Sequence, residues 1–144
     1  TIQVNLNSVF ILSQIIAKNM IKNKINGSII NVTSIGGMMG FPNNPAYTAT
    51  KGAISNLTRS MALDLGKNNI RVNNIVPGYT KTPMNIKSWK NKKKYNERAA
   101  RTMLGRWANA HEYNGALNFL ASEASSYVTG SDFIIDGGWL NKGL

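Results

Sequence analysis

Three short runs of β-branched and apolar residues alternate with longer helical patterns, and this alternation most limits the folds open to the chain. The runs lie at 28–34 (SIINVTS), 70–76 (IRVNNIV) and 132–136 (DFIID), close to Gly, Pro or Asn residues, as is typical of buried strands. Helical spacing of apolar residues covers 3–24, 46–65 and 111–122, and one or two short helices are expected within 84–104. Strands that alternate with helices predict an α/β fold with a parallel sheet and helices on both faces.

Turn-forming residues mark the expected helix ends. Asn44 and Pro45 are placed to cap and begin the second helix, and Gly66 to end it. Asn26 and Gly27 are expected to stop the first helix.

Residue counts exclude several kinds of site. The chain of 144 residues has no cysteine and one histidine, His111. A disulfide scaffold, a thiolate metal site and a cysteine nucleophile are therefore excluded, and we expect no metal. No apolar run approaches the ~20 residues that cross a bilayer, and we expect a cytoplasmic protein without a membrane partner. His111 lies beside Glu112 at a helix start, which favours a surface or capping role.

Positive charge is concentrated in one stretch. The chain has 17 Lys and Arg against 6 Asp and Glu, and nine of the 17 lie between Lys81 and Arg106, where Glu97 is the one acidic residue. Clustered cations interleaved with Trp89 and Tyr95 are one pattern of nucleic-acid binding. A solvated surface segment explains the same charge. Because no nucleic-acid motif is present, we consider a nucleic-acid partner unlikely on this pattern alone.

Tyr47 and Lys51 lie four residues apart in YTATK, which places both side chains on one helix face. Tyrosine has a pKa of ~10 and is a poor proton carrier at neutral pH, but a nearby ammonium favours the phenolate. Ser34 ends a predicted buried strand thirteen residues before Tyr47, where α/β sheets place groups that contact ligands. A serine hydroxyl there can donate to a substrate oxygen that gains negative charge.

Four ordered motifs together resemble the classical short-chain dehydrogenase/reductase family. VNLNSVF at 4–10 is similar to its catalytic-Asn segment, and IINVTS followed by YTATK to its Ser…Tyr-x-x-x-Lys core. RVNNIVPGYTKTPM at 71–84 is similar to the family's strand and Pro-Gly loop under the nicotinamide. The stretch that starts at Gly105 is similar to the family's C-terminal signature. The resemblance implies a Rossmann-like doubly wound parallel sheet, of which this chain holds the C-terminal part with three strands.

The resemblance also implies a role for each matching residue. Tyr47 would be the general acid in carbonyl reduction and the base in alcohol oxidation. Lys51 would favour the phenolate and bond the nicotinamide ribose, while Ser34 would orient and polarise the substrate carbonyl. Asn5 would hold a water that relays protons, with Asn7 as the alternative amide.

Cofactor contacts follow from the same resemblance. Tyr47 and Lys51 would take part in them, and the nicotinamide side would be lined by Pro77, Gly78, Thr80 and Thr82. Residues 84–104 would form a variable substrate lid, for which a disordered loop is the plainer alternative. The family's glycine-rich turn and the acidic or basic residue that selects NAD or NADP are both absent from this chain, so NAD and NADP stay equally open.

The implied activity is NAD(P)-dependent hydride transfer between a nicotinamide cofactor and a small-molecule carbonyl or alcohol of sugar, polyol or 3-oxoacyl type. Helices 3–24 and 46–66 would pair with other subunits in a homodimer or homotetramer. A non-catalytic scaffold of the same family and a basic nucleic-acid-binding fragment stay as alternatives. Ser34, Tyr47 and Lys51 occurring together argue against the scaffold.

The motif order implies that residues 1–144 are part of a domain of roughly 250 residues, a size usual for α/β folds. The dinucleotide-binding half would lie upstream. We therefore expect the isolated chain to be inactive, and the strand at 28–34 to leave an open, apolar edge prone to aggregation.

Overall fold

Three parallel strands form the main sheet in the computed structural model, which describes residues 1–142. The strands in chain order are β1 (Gly27–Val32), β2 (Ile70–Pro77), β3 (Thr80–Lys81), β4 (Ala108–Asn109) and β5 (Asp132–Ile135). β1, β2 and β5 pair in that order, so the three predicted strands are confirmed. β3 and β4 form a separate parallel ladder, which is too short to produce a recognisable sequence pattern.

Five α-helices accompany the strands within the described residues. They are α1 (Ser8–Lys22), α2 (Pro45–Leu65), α3 (Ile86–Trp89), α4 (Lys92–Ala99) and α5 (Asn114–Ala121). A π-helical turn, Gln3–Asn7, leads into α1, and a 3₁₀ turn, Ala110–Tyr113, leads into α5. The predicted alternation of helix and strand is confirmed, including two short helices in the basic stretch.

Two expectations about helix ends are wrong. α1 ends at Lys22, before Asn26 and Gly27, because Lys24 adopts a left-handed conformation with φ of 53° and breaks the helix earlier. Asn44 does precede α2, but its side chain makes no capping hydrogen bond. Its backbone departs from the extended conformation that usually directs a capping side chain. Pro45 begins α2 and Gly66 follows its end, as predicted.

The core lies on both faces of the central strand β2. On one face, Val72 packs with Met61 and Ala62 of α2. On the other, Ile75 packs with Leu120 of α5. Helices thus cover both faces of a parallel sheet, which is the doubly wound α/β arrangement that the sequence predicts.

A buried polar network connects α2 to the three strands of the main sheet. Thr58 Oγ1 accepts a hydrogen bond from Asn31 Nδ2 of β1 at 2.8 Å and donates to Asn74 Oδ1 of β2 at 2.7 Å. Asn74 Nδ2 donates to Asp132 of β5 at 2.7 Å, and Asp132 also pairs with Arg59 of α2. Since Asn31, Thr58 and Asn74 are buried, this network fixes the helix that carries Tyr47 and Lys51.

Apolar surface is left uncovered beside β1. Among residues 1–142, β1 pairs with β2 alone, and Val32 at its end is 53% exposed. The apolar side chains of α1 are also exposed; they include Phe10, Ile11, Leu12, Ile15 and Ile16. The open edge agrees with the expectation from sequence, whereas its tendency to aggregate stays a prediction. A search of the same residues finds no helix with the length and apolarity to cross a membrane.

Candidate active site

A cavity of about 790 Å³ opens where β1 and β2 end. This is the end of a parallel sheet at which α/β proteins bind ligands, and the volume is ordinary for a small-molecule site. All eight residues predicted to be catalytic or cofactor-binding line it: Asn5, Ser34, Tyr47, Lys51, Pro77, Gly78, Thr80 and Thr82. The fold therefore brings together side chains that are as far apart as residues 5 and 82.

Ser34 follows β1 and begins the 3₁₀ turn Ile35–Gly37. Its Oγ accepts a hydrogen bond from the backbone N–H of Gly36 at 3.0 Å, and the residue is only 7% exposed. That bond uses an oxygen lone pair and orients the hydroxyl, leaving the Ser34 proton to be donated. The serine is thus held at the cavity as a hydrogen-bond donor.

Gly37 brings this turn into contact with α2. A Cβ atom at Gly37 would lie 2.7 Å from the carbonyl carbon of Lys51 and 2.9 Å from the nitrogen of Gly52. The backbone after β1 therefore packs directly on the backbone that carries Lys51. Glycine at position 37 sets the distance between Ser34 and the helix.

Tyr47 and Lys51 lie in the first two turns of α2 and both are half-buried. Lys51 Nζ donates a hydrogen bond to the carbonyl oxygen of Val32 at 2.8 Å and lies 5.9 Å from the centre of the Tyr47 ring. Burial lowers the pKa of Lys51 from its ordinary value, because a partly desolvated ammonium is less stable than a hydrated one. The end of β1 thus holds a cation beside a phenol.

Asn5 lies in the π-helical turn before α1 and lines the cavity. Such turns occur often at functional sites, since they displace one residue from the regular helix. Asn7, the alternative amide, instead donates to Gln3 Oε1 at 2.8 Å. The geometry places Asn5 rather than Asn7 at the cavity.

The opposite wall is formed by the segment after β2. Gly78 allows close packing there, since a Cβ atom would lie 2.7 Å from the Cα of Asp136. Thr80 Oγ1 lies 2.6 Å from the hydroxyl of Tyr113, and the Thr82 N–H donates to Asn85 Oδ1 at 3.0 Å. These bonds fix the wall, so that its backbone faces the cavity in one conformation.

Tyr79 is an important wall residue that sequence reasoning missed. Its ring centre lies 4.8 Å from that of Trp139, 5.0 Å from that of Trp107 and 6.2 Å from that of Phe41. An aromatic residue directly after Pro-Gly was the one available signal, but its partners are 28 to 60 residues away in sequence. Tyr79 thus forms an apolar wall between the cavity and the basic stretch.

Arg106, at the end of the basic stretch, and His111 both lie outside the cavity. Arg106 forms an ion pair with Glu112, with Nη2 and Oε1 2.6 Å apart, which supports the 3₁₀ turn before α5. This hydrogen bond, followed by that from the Asn109 N–H, lowers the pKa of Glu112 to about 2. His111 is exposed in the same turn, in agreement with a surface role. Within residues 1–142, no three His, Cys, Asp or Glu side chains are grouped as a metal site would require.

Comparison with known proteins identifies the family. A family model described as enoyl-(acyl carrier protein) reductase matches residues 1–140. The 2-dehydro-3-deoxy-D-gluconate 5-dehydrogenase of Bacillus subtilis is 42% identical over 142 residues, which cover 98% of this chain and 55% of the relative. The chain thus spans about half the length of this curated relative.

Solved structures agree with the sequence matches. A 4-hydroxyisoleucine dehydrogenase complexed with NADH superposes with a TM-score of 0.95 at 38% identity, covering 99% of this chain and 58% of the other. A gluconate 5-dehydrogenase from Burkholderia cenocepacia, in complex with NADP and tartrate, gives 0.94 at 36% identity, covering 99% and 55%. The chain therefore belongs to the classical short-chain dehydrogenase/reductase family, and its fold is the C-terminal part of the family's Rossmann-like sheet.

Proposed function

We propose that the protein transfers hydride between a nicotinamide cofactor and a carbonyl or alcohol group of a small molecule. The observation that carries this proposal is the meeting of Ser34, Tyr47 and Lys51 at one cavity where β1 and β2 end. A hydroxyl donor, a phenol and a cation are the groups that an oxygen-centred reduction needs from a protein.

The donor chemistry of the cavity fits the nicotinamide half of NAD or NADP. Lys51 and Tyr47 offer an ammonium and a phenol that suit ribose hydroxyls, and the segment Pro77–Thr82 offers backbone groups along one wall. When bound, the cofactor supplies or accepts the hydride. The chain has no G-x-G-x-x-G fingerprint for the pyrophosphate. The acidic or basic residue that follows that fingerprint and distinguishes NAD from NADP is absent with it, so the residues of this chain favour neither cofactor.

Each of the four candidate catalytic residues then has a defined role in carbonyl reduction. The Tyr47 hydroxyl gives its proton to the substrate oxygen as that oxygen gains charge, and in oxidation the phenolate takes the proton back. Ser34 donates a hydrogen bond to the same oxygen. Lys51 stabilises the phenolate electrostatically, and Asn5 holds a water through which the lost proton is replaced.

The substrate class follows from the lining of the site and from the relatives. Polyols, sugars and 3-oxoacyl compounds are the candidates, and the names of the compared proteins point toward sugar acids and hydroxylated amino acids. Residues 84–104 are proposed as the substrate lid, since Met84 and Asn85 already line the cavity.

A homodimer or homotetramer is the proposed assembly. The exposed apolar residues of α1, including Phe10 and Ile11, form a face of the kind that obligate interfaces cover. The cytoplasmic location and the inactivity of the isolated chain stay predictions.

Tyr47→Phe tests the proposed function directly. In the product of the complete coding sequence, this variant is expected to lose about 100-fold or more in kcat, the usual contribution of a general acid. Tyr127→Phe is the matched control, since Tyr127 is fully exposed and is not among the residues that line the cavity. Turnover is followed as NADH or NADPH oxidation with a panel of carbonyl substrates.

The same experiment separates the alternatives. A protein that binds neither cofactor and turns over nothing is a scaffold. Salt-sensitive binding to arbitrary DNA without turnover favours a nucleic-acid-binding protein. Full activity of Tyr47→Phe would refute the proton-transfer role while leaving the oxidoreductase intact.

A further inference from the structure

A second cavity, of about 760 Å³, adjoins the first on the side of the basic stretch. Phe41, Tyr47, Tyr79 and Asn85 line both cavities. A substrate whose reacting oxygen lies at Tyr47 therefore extends into this second space. The groups that line it decide which substrates fit.

The charged residues of this second cavity are Arg98 and Arg101 against Glu97. Among residues 1–142, the ion pairs within 4.0 Å are Arg59 with Asp132 and Arg106 with Glu112. Neither arginine of the cavity is neutralised by a carboxylate in this part of the chain. The second cavity therefore carries a net positive charge beside the candidate reaction centre.

Arg98 contacts two aromatic rings, whereas Arg101, the other arginine of the cavity, contacts one, with its Cζ 5.7 Å from the centre of the Trp139 ring. The Cζ of Arg98 lies 5.0 Å from the centre of the Tyr79 ring and 5.7 Å from that of Trp107. These aromatic faces attract the cation but accept no strong hydrogen bond. Trp107 is itself fixed, because its Nε1 donates to the carbonyl oxygen of Tyr95 at 3.1 Å.

The guanidinium of Arg98 is also incompletely hydrogen-bonded. Its Nη1 is buried and has no hydrogen-bond partner within the described residues. A buried donor without a partner is costly, and such groups in folded proteins call for an explanation. Because Nη1 itself has almost no accessible surface, the part of the guanidinium that lines the cavity is the part open to a ligand. A half-buried cation that is placed by two rings and has no carboxylate partner is preorganised for an anion there.

We propose that Arg98 binds a carboxylate of the substrate, so that the protein prefers hydroxy or oxo acids to neutral polyols. This inference rests on the proposed function, since it places the reacting oxygen of the same substrate at Tyr47. The planar guanidinium matches a carboxylate in two parallel hydrogen bonds. A phosphate ester shares this charge, but phosphate sites usually add several donors, and the cations that line this cavity are Arg98 and the more exposed Arg101.

Substitution of Arg98 tests the assignment in the product of the complete coding sequence. Arg98→Met removes the charge. Arg98→Lys keeps the charge but removes the planar guanidinium that can form two parallel hydrogen bonds. Lys67→Met is the matched control, because it removes one exposed charge from a residue that lines neither cavity and lies outside the proposed lid. The substrates are a hexonate, the hexitol of the same configuration and the corresponding hexitol phosphate.

The wild-type protein is expected to favour the hexonate over the hexitol. Arg98→Met should lower kcat/KM for the hexonate by about 10- to 100-fold, the loss expected for a charge-assisted hydrogen bond. The hexitol should change little, and Arg98→Lys should lie between. Lys67→Met should stay near the wild-type values for both, since an exposed charge is screened.

Three results would overturn the proposal. They are no preference for the hexonate in the wild type, an equal loss on both substrates in Arg98→Met, and a preference for the hexitol phosphate over the hexonate.

Failure of the proposed function gives a different pattern, in which no substrate is turned over. Quenching of tryptophan fluorescence by the hexonate then decides the role of Arg98 separately, because Arg98 stacks near Trp107. Saturable quenching that Arg98→Met weakens and Lys67→Met does not weaken supports the carboxylate site, and the absence of such quenching refutes it.

Discussion

Replacing Gly37 by alanine is expected to disturb the candidate site far more than the same change at Gly40, three residues later. The added Cβ at Gly37 would lie 2.7 Å from the carbonyl carbon of Lys51 and 2.9 Å from both the carbonyl oxygen of Lys51 and the nitrogen of Gly52. At Gly40 it would meet nothing within 4 Å. Neither glycine has a positive φ, so the two variants differ in crowding and not in backbone strain.

The expected size of the effect follows from these distances. Non-bonded carbon atoms pack at about 3.5–4.0 Å, so the loop and α2 must separate by about 1 Å. Overpacking of this kind costs roughly 1–3 kcal/mol in the free energy of unfolding. A displacement of about 1 Å between reacting groups lowers kcat/KM by about 100-fold. Gly40→Ala should stay within about 0.5 kcal/mol of the wild type, as surface substitutions do.

Urea unfolding and steady-state kinetics of the two variants, made in the product of the complete coding sequence, measure these effects. Equal stability and equal kcat/KM for Gly37→Ala and Gly40→Ala would show that the contact between Gly37 and Lys51 does not position the site. A loss of stability without a loss of activity would show that the loop moves while Ser34 stays in place.

Two further substitutions test other parts of the fold. Thr58→Val removes the hydroxyl that joins Asn31 to Asn74. It should lower the free energy of unfolding by about 1–3 kcal/mol because buried amides lose their partners. An effect no larger than that of Ser60→Ala, on the exposed side of α2, would contradict the role of the network. Glu112→Gln should destabilise the protein above pH ~4.5, the ordinary glutamate range. The pKa of Glu112 is lowered to about 2, so its ionised form contributes stability above the unfolded-state value and loses it as the pH falls toward 2. The difference between wild type and Glu112→Gln in urea midpoints should therefore shrink on acidification, and a constant difference would rule out the ion pair as its cause.

Local patterns were sufficient to predict the sheet and the centre of the site. The strand runs and the four-residue spacing of Tyr47 and Lys51 are properties of adjacent residues, and Ser34 was found from its position at a strand end. Proline at the start of α2 acted as expected because its restricted backbone suits the first helical turn wherever the helix packs.

Contacts between distant segments were beyond the same reasoning. Lys51 donates a hydrogen bond to the Val32 carbonyl, and Arg98 stacks on Tyr79; each contact joins residues 19 apart in sequence. No periodic pattern in the sequence predicts such contacts. Asn44 was expected to cap α2 from its residue type alone, yet the backbone before Pro45 turns its side chain away from that role. Tertiary geometry decided each of these cases.

The basic stretch shows why net charge is a poor guide to recognition. Lys92, Lys93 and Lys94 are exposed on α4, where salt screens each charge within about 10 Å. Arg98 lies on the same helix, but its guanidinium is stacked on two rings and one of its nitrogens is buried without a partner. In that environment a single charge is both costly to leave unpaired and strong toward an anion. The nine cations of the stretch therefore differ in their surroundings. Arg98 and Arg101 are the two that line the cavity beside Tyr47, and the two aromatic rings against Arg98 are the reason that we assign the proposed carboxylate contact to it.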